Sequence, residues 1–187
     1  MTAQIPHSFI YLGHHDYSLA AVEKDWPFKP KQYGFTPVAY SSACWRGYKC
    51  HYVIEDKKLY LDTLTIGLED SVPPVWNGIS AAEAQYGAWE YHQVGLPLEY
   101  SGGIVLCRGF INEMYVHMGT QRPYSYRQVL ELSLEKGLLT DVTDYSKEMK
   151  EIRKFLLESQ SKIPNSEADK RLDDVFLQAY VNKWGRS

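Results

Sequence analysis

Cysteine is scarce in this chain: Cys44, Cys50 and Cys107 are the three in 187 residues, an odd count with no dense spacing. That argues against a disulfide framework and for free thiols in a reducing compartment. Long hydrophobic runs are missing as well. The longest uninterrupted apolar stretches are a few residues, far short of the roughly 20 that span a bilayer. Positive charge is not in excess either, since the net charge is −3, so no overall field favours a nucleic acid or an anionic membrane. Lys29, Lys31, Lys57 and Lys58 make small basic spots rather than a stripe interleaved with aromatics. The opening stretch carries no basic segment followed by an apolar one, so no secretion signal is read. The expectation is a soluble, cytoplasmic chain with no nucleic-acid and no membrane partner.

Motifs of chemistry are equally sparse. Gly102-Gly103 lacks the glycine spacing of a phosphate loop, and a strand pattern follows it where a helix should. Gly-x-Ser-x-Gly is absent, so Ser101 has no nucleophile elbow. Cys44, Cys50 and His51 fall within eight residues, but no second pair of ligands follows. Strand spacing also turns Cys50 and His51 to opposite faces. The chain is expected to hold no metal and no cofactor.

What the chain does have is aromatic side chains. Fifteen Tyr and five Trp are spread along its length. They suit a sheet-rich core with polar tips at its edge, or a face lined for a partner or ligand.

The stretch from Pro97 to Asp144 organises the rest. Ile104 to Leu106 is a short, mostly β-branched run after a glycine break, and Met114 to Met118 is a second run, stopped by Gly119 and Pro123. Leu130, Leu132 and Leu134 alternate with Glu131 and Ser133, which is the period of a strand with one dry face. Glu135-Lys136-Gly137 then suits a hairpin turn. Upstream, Tyr48, Cys50, Tyr52 and Ile54 alternate with Lys49, His51 and Val53, a strand with one mostly apolar face, and the turn Glu55 to Lys58 leads to a return strand over 59–66. Ser80 precedes Glu83 by three residues, a capping box that predicts a helix over 81–91. Near Asp144 the period becomes helical: Tyr145, Met149, Ile152 and Leu156 share one face, with Asp144 or Ser146 as cap. A further helix is read from Ser166 to Gly185. Residues 1–40 resist regularisation, with a short strand at Phe9 to Leu12, a helical turn at Tyr17 to Val22 and a proline-punctuated wrap through Pro27, Pro30 and Pro37.

These readings predict an α+β fold in one domain. It has an irregular wrapping segment over 1–40 and a β-rich core over 41–142. An antiparallel sheet is built in that core from the 47–66 hairpin and strands in 103–142. Two C-terminal helices follow over 145–184.

Five residues are the candidates for a site: Arg46, His51, Arg108, Glu113 and His117. Each is charged or titratable in or beside an apolar strand pattern, where a charge must find a partner or an open cleft. Without a cleft, the same residues make an Arg–Glu pair and a hydrogen-bonded histidine. His14-His15-Asp16 is a second titratable cluster. Two functions follow. One is a binding protein that holds a protein partner or small anionic ligand with a Tyr/Trp-rich face. A bacterial version of it would be an immunity-like neutraliser of a basic toxic domain. The other is a small enzyme in which Arg108 holds an anionic substrate and His117 moves a proton.

Overall fold

The computed structural model describes residues 3–69, 72–117, 119–158, 170–172 and 174–176. Its strands are β1 (His7–Tyr11), β2 (His14–Val22), β3 (Tyr48–Glu55), β4 (Lys58–Ile66), β5 (Ala82–Glu83), β6 (Trp89–Tyr91), β7 (Leu96–Pro97), β8 (Gly102–Phe110), β9 (Tyr126–Glu135) and β10 (Leu138–Asp144). Its α-helix is α1 (Ser146–Glu158). Three tight two-residue turns, Leu12-Gly13, Asp56-Lys57 and Lys136-Gly137, take left-handed backbone at both positions. That twist matches the twist of paired strands, so each turn closes a hairpin: β1–β2, β3–β4 and β9–β10.

The hairpins join in a ten-stranded sheet whose main path runs β10-β9-β8-β2-β1-β3-β4-β6-β5. The sheet then returns on itself. Leu138 of β10 pairs with Lys58 of β4, the Leu59 amide donates to Gly137 O at 2.9 Å, and the Leu139 amide donates to Lys57 O at 2.7 Å. The path from β4 through β3, β1, β2, β8 and β9 to β10 is therefore a ring. Inward residues of its alternating strands form the main core: Phe9, Leu19, Tyr52, Leu61, Leu64, Ile104, Leu106 and Leu132 are each 2% exposed or less. A second cluster lies outside the ring, where Val105, Cys107 and Val129 pack under Tyr145, Met149 and Ile152 of the α1 segment. Asp144 Oδ1 accepts the Ser146 amide at 2.8 Å at the start of α1, the cap that the sequence suggested.

Several parts of the expected architecture need correction. The sheet is mixed, because β1 lies parallel to β3, with Ser8 opposite His51 and Ile10 opposite Val53. The protein is thus mostly β-sheet rather than an antiparallel α+β fold. Residue patterns mark which strands exist; the crossover over 23–47 decides which ones become neighbours. Among the described residues α1 is the one full α-helix, with a further helical stretch at 170–172 and 174–175, where two C-terminal helices were expected. The second, read from Ser166 to Gly185, falls mostly outside the described residues.

The helix expected over 81–91 is a strand pair about a 3-10 turn. Ala82 and Glu83 pair with Glu90 and Trp89, and Tyr86 and Gly87 take left-handed backbone between them. The open edge of β4 draws Trp89–Tyr91 into the sheet, and sheet pairing outweighs a local capping signal. The run read at Met114 to Met118 begins instead in the 3-10 turn Asn112–Met114. Near the N-terminus, residues 14–22 are a strand deep in the sheet and not a helical turn. The segment after it does wrap, and it is anchored by rings: Phe28 stacks on Tyr33 at 5.0 Å and Phe35 meets Trp76 edge-on at 5.2 Å.

Closure has one steric condition. A Cβ on Gly137 would sit 2.1 Å from Leu98 O, with φ at +80°. Gly13 has a similar φ of +75° but nothing within 4 Å. Strained backbone of this kind costs on the order of 1–3 kcal/mol, and Gly137 adds a backbone collision. Gly137→Ala is expected to destabilise by about 1–3 kcal/mol more than Gly13→Ala in urea unfolding. Equal losses would remove the close approach from this account of closure.

Candidate functional site

The five candidate residues do not assemble. Arg108 stands on β8 with Nε 3.0 Å from Asp16 Oδ2, and its guanidinium lies 5.7 Å over the Tyr17 ring. Its carboxylate partner therefore comes from the His14-His15-Asp16 cluster and not from Glu113. Glu113 sits in the 3-10 turn Asn112–Met114, on the rim of a depression of about 490 Å³ shared with Lys150, Arg153 and Leu157 of α1. His117 is exposed on a loop outside the sheet, edge-on to Tyr115 at 6.4 Å. His51 is half-buried on β3, on the face opposite the fully buried Cys50. Its Nε2 meets no hydrogen-bond partner, and burial lowers its pKa, with the Asp62 carboxylate pulling the other way.

Arg46 is the one that leads to a surface. It belongs to loop 41–47, which precedes β3 and is tied down residue by residue. The Cys44 amide donates to Ser41 O at 3.0 Å, and the Gly47 amide to Cys44 O at 3.1 Å. Gln4 grips the loop twice: its Oε1 accepts the Trp45 amide and its Nε2 donates to Ser42 O, both at 3.1 Å. The Ile5 amide donates to Ala43 O at 2.8 Å. Arg46 donates from Nε to Tyr48 O at 2.6 Å and from Nη2 to Ile5 O. Cys44 is fully buried beneath, its thiol 3.5 Å from Tyr48 O. On this braced loop Trp45 is left 51% exposed.

The loop is a wall of two depressions. One, of about 340 Å³, is lined by Arg46 and Tyr48 and by Lys29, Pro30, Lys31, Gln32 and Pro37 from the wrapping segment. The 3-10 turn Pro30–Tyr33 carries Lys31 to it, and Lys29 pairs with Asp25 at 2.7 Å on the same segment. The other, of about 650 Å³, takes Ile5, Tyr40 and Ser41 from the loop side. Its far side includes Glu83 and Tyr86 from the β5–β6 hairpin and Glu90, with Lys49 and Thr65 also in its lining. Glu90 accepts from Thr65 Oγ1 at 2.6 Å and lies 3.1 Å from His92 Nε2.

The charges leave a signature on their neighbours. Burial raises the pKa of Tyr48 and of Tyr40, and pushes the Cys50 thiol up to about 12; in each case the Arg46 cation works against that rise. The Cys50 thiol and these phenols are thereby held in their neutral forms at physiological pH. Behind Tyr48, at 5.4 Å between rings, His7 is buried against Trp26 and Tyr52. Its Nδ1 accepts the Cys50 amide at 2.9 Å, which leaves the proton of the neutral ring on Nε2, where it has no partner. The Tyr52 hydroxyl also lacks a partner at hydrogen-bonding geometry, although the Cys50 thiol and Phe28 amide lie near enough to act on it.

Sequence reading found Arg46 and noted Lys29 and Lys31 as isolated spots. It missed that the wrap brings them together, and it did not single out Trp45. Their separation along the chain carried no signal of contact. Among the described residues no three His, Cys, Asp or Glu side chains converge as metal ligands would, and no helix is long and apolar enough to cross a membrane. No protein family, curated protein or solved structure matches the chain.

The buried His7 makes stability depend on pH. Burial, with the Arg46 and Lys49 charges adding, holds its pKa well below the ordinary 6.5. The unfolded chain binds a proton there before the folded one does. Stability is therefore complete above about 6.5 and falls as pH drops below it, by up to about 1.4 kcal/mol per pH unit. Urea unfolding at several pH values between 7.5 and 5 should show that slope, and His7→Gln should reduce it whatever its starting stability, leaving the part that His51, also lowered by burial, contributes. An unchanged slope would mean that His7 does not hold its neutral form.

Proposed function

We propose that this protein is a non-enzymatic binding protein that engages an acidic partner surface through loop 41–47 and the basic depression beside it. The observation that carries the reading is Trp45, half-exposed on a loop whose every neighbour is hydrogen-bonded in place. An indole in water is an unfavourable surface. Covering its remaining area, of the order of 100 Å², would yield roughly 2–3 kcal/mol at about 25 cal/mol per Å². Because the loop is already ordered, little of that gain is lost to fixing it on binding. Trp, Tyr and Arg together are also the side chains that dominate binding energy at protein interfaces. Arg46 and Lys31 set the sign of the partner, with Lys29 beside them held by Asp25, and an acidic group entering beside Tyr48 would meet both cations.

The neutralising version, capture of a basic domain, would have to use the Glu83 and Glu90 depression instead, where Lys49 opposes it. An enzyme built on Arg108 and His117 finds little support in their placement, since Arg108 is committed to Asp16 and His117 lies outside the sheet.

Poly-glutamate titrated at low ionic strength is expected to shift the tryptophan fluorescence of the wild type. Trp45→Phe should lose the signal, Lys31→Glu should lose the binding, and added salt should weaken it. No response from the folded wild type would rule the reading out.

A further inference from the structure

The two depressions that share loop 41–47 carry opposite charge. On the Arg46 and Tyr48 side stand Lys31 and Arg46, with Lys29 paired to Asp25 at 2.7 Å; on the Tyr40 and Ser41 side stand Glu83 and Glu90, with Lys49 the one cation among the described residues of that lining. Trp45 lies in the same loop, 51% exposed, and Ile5 and Tyr86 in the acidic lining are 37% and 75% exposed. The two linings meet where Arg46 donates to Ile5 O. A surface that is positive on one side of such a seam and negative on the other is complementary to itself. A two-fold rotation about the seam lays each basic side on the other molecule's acidic side, as the isologous contact of a symmetric dimer requires.

From this we infer that the partner of the Trp45 surface is a second copy of this chain. The inference rests on the reading of that surface as an interaction face and names its occupant. In the pair, Lys29, Lys31 and Arg46 of one protomer face Glu83 and Glu90 of its partner, twice by symmetry, and the contact covers the exposed Trp45 of each. The acidic group that the basic depression receives is then supplied by the chain itself.

The geometry matters for a reason a heterologous contact would not share. In a two-fold pair each contact occurs twice with its roles exchanged. Reversing one side alone sets like against like in both contacts. Mixing a molecule reversed on its basic side with one reversed on its acidic side restores both contacts at once.

The experiment is sedimentation of the wild type from about 1 µM to 1 mM, a range that covers weak and transient contacts. It is repeated for Lys29→Glu/Lys31→Glu, for Glu83→Lys/Glu90→Lys, and for their equimolar mixture. The wild type is expected to move with concentration from the 21.6 kDa chain mass towards twice that value. Each double variant alone should stay monomeric, and the mixture should recover the doubled mass. A wild type that stays monomeric throughout overturns the inference and leaves the face to an acidic partner of another kind, which the poly-glutamate titration tests separately. Dimers in either double variant alone, or a mixture that stays monomeric while both components keep the wild-type circular dichroism, also overturn it. Should either double variant fail to fold, the exposed Trp45→Ser decides. Its self-association should weaken at least tenfold at unchanged melting temperature, and unchanged association would place the dimer contact elsewhere.

Discussion

The fold depends on the stitch between two hairpin turns. Where Lys58 meets Leu138, the Gly137 and Lys57 turn carbonyls accept from the Leu59 and Leu139 amides of the opposite hairpin's strand, and the Leu98 and Tyr100 backbone packs against the same point. Without that pairing, β4 and β10 would leave the ring open there. The inward rows of Leu and Tyr side chains would then form one face of an open sheet instead of an enclosed core. A closed sheet has few edges to protect. Here the outer edge of β10 beyond the stitch carries Asp141 and Asp144, charges that suit an edge left in water.

Closure also explains why the polar residues lie where they do. Once the interior is filled by alternating residues of the ring, a polar side chain must reach a rim, face outward or accept burial. Arg108 reaches Asp16 near the start of β2, and His51 faces outward on β3. His7 is enclosed and remains neutral. The crossover over 23–47 connects β2 to β3, and that one connection makes both the parallel pair and the basic depression, because it carries Lys29, Lys31 and Arg46 past the same end of β3.

Strand existence was legible from the chain. The alternation over 48–54 and 130–134, the return strand over 59–66, the turns at 55–58 and 135–137, and the helical face of Tyr145, Met149 and Ile152 all correspond to elements found in the structure. The failures share a physical cause. Ser80 and Glu83 form a sound local helix start, yet the unpaired edge of β4 satisfies more backbone groups by taking Trp89–Tyr91 as a strand. β2 loses its alternation beyond Ser18, where a bulge between Leu19 and Ala21 shifts its register against β8 and residues 19–22 are all buried.

By itself the sequence determined what kind of surface each segment could offer: period-two stretches that had to pair, left-handed turns that had to close hairpins, and a loop with Trp and Arg side by side. Only the tertiary structure decided which strands became neighbours and which charges came together. Strand pairing is specified by contacts between residues far apart in the chain, and those contacts leave no periodic trace in either segment alone. Arg46 is adjacent in sequence to Trp45, but its companions Lys29 and Lys31 arrive with a crossover whose course is set by Phe28, Phe35 and Trp76 packing at the end of the ring.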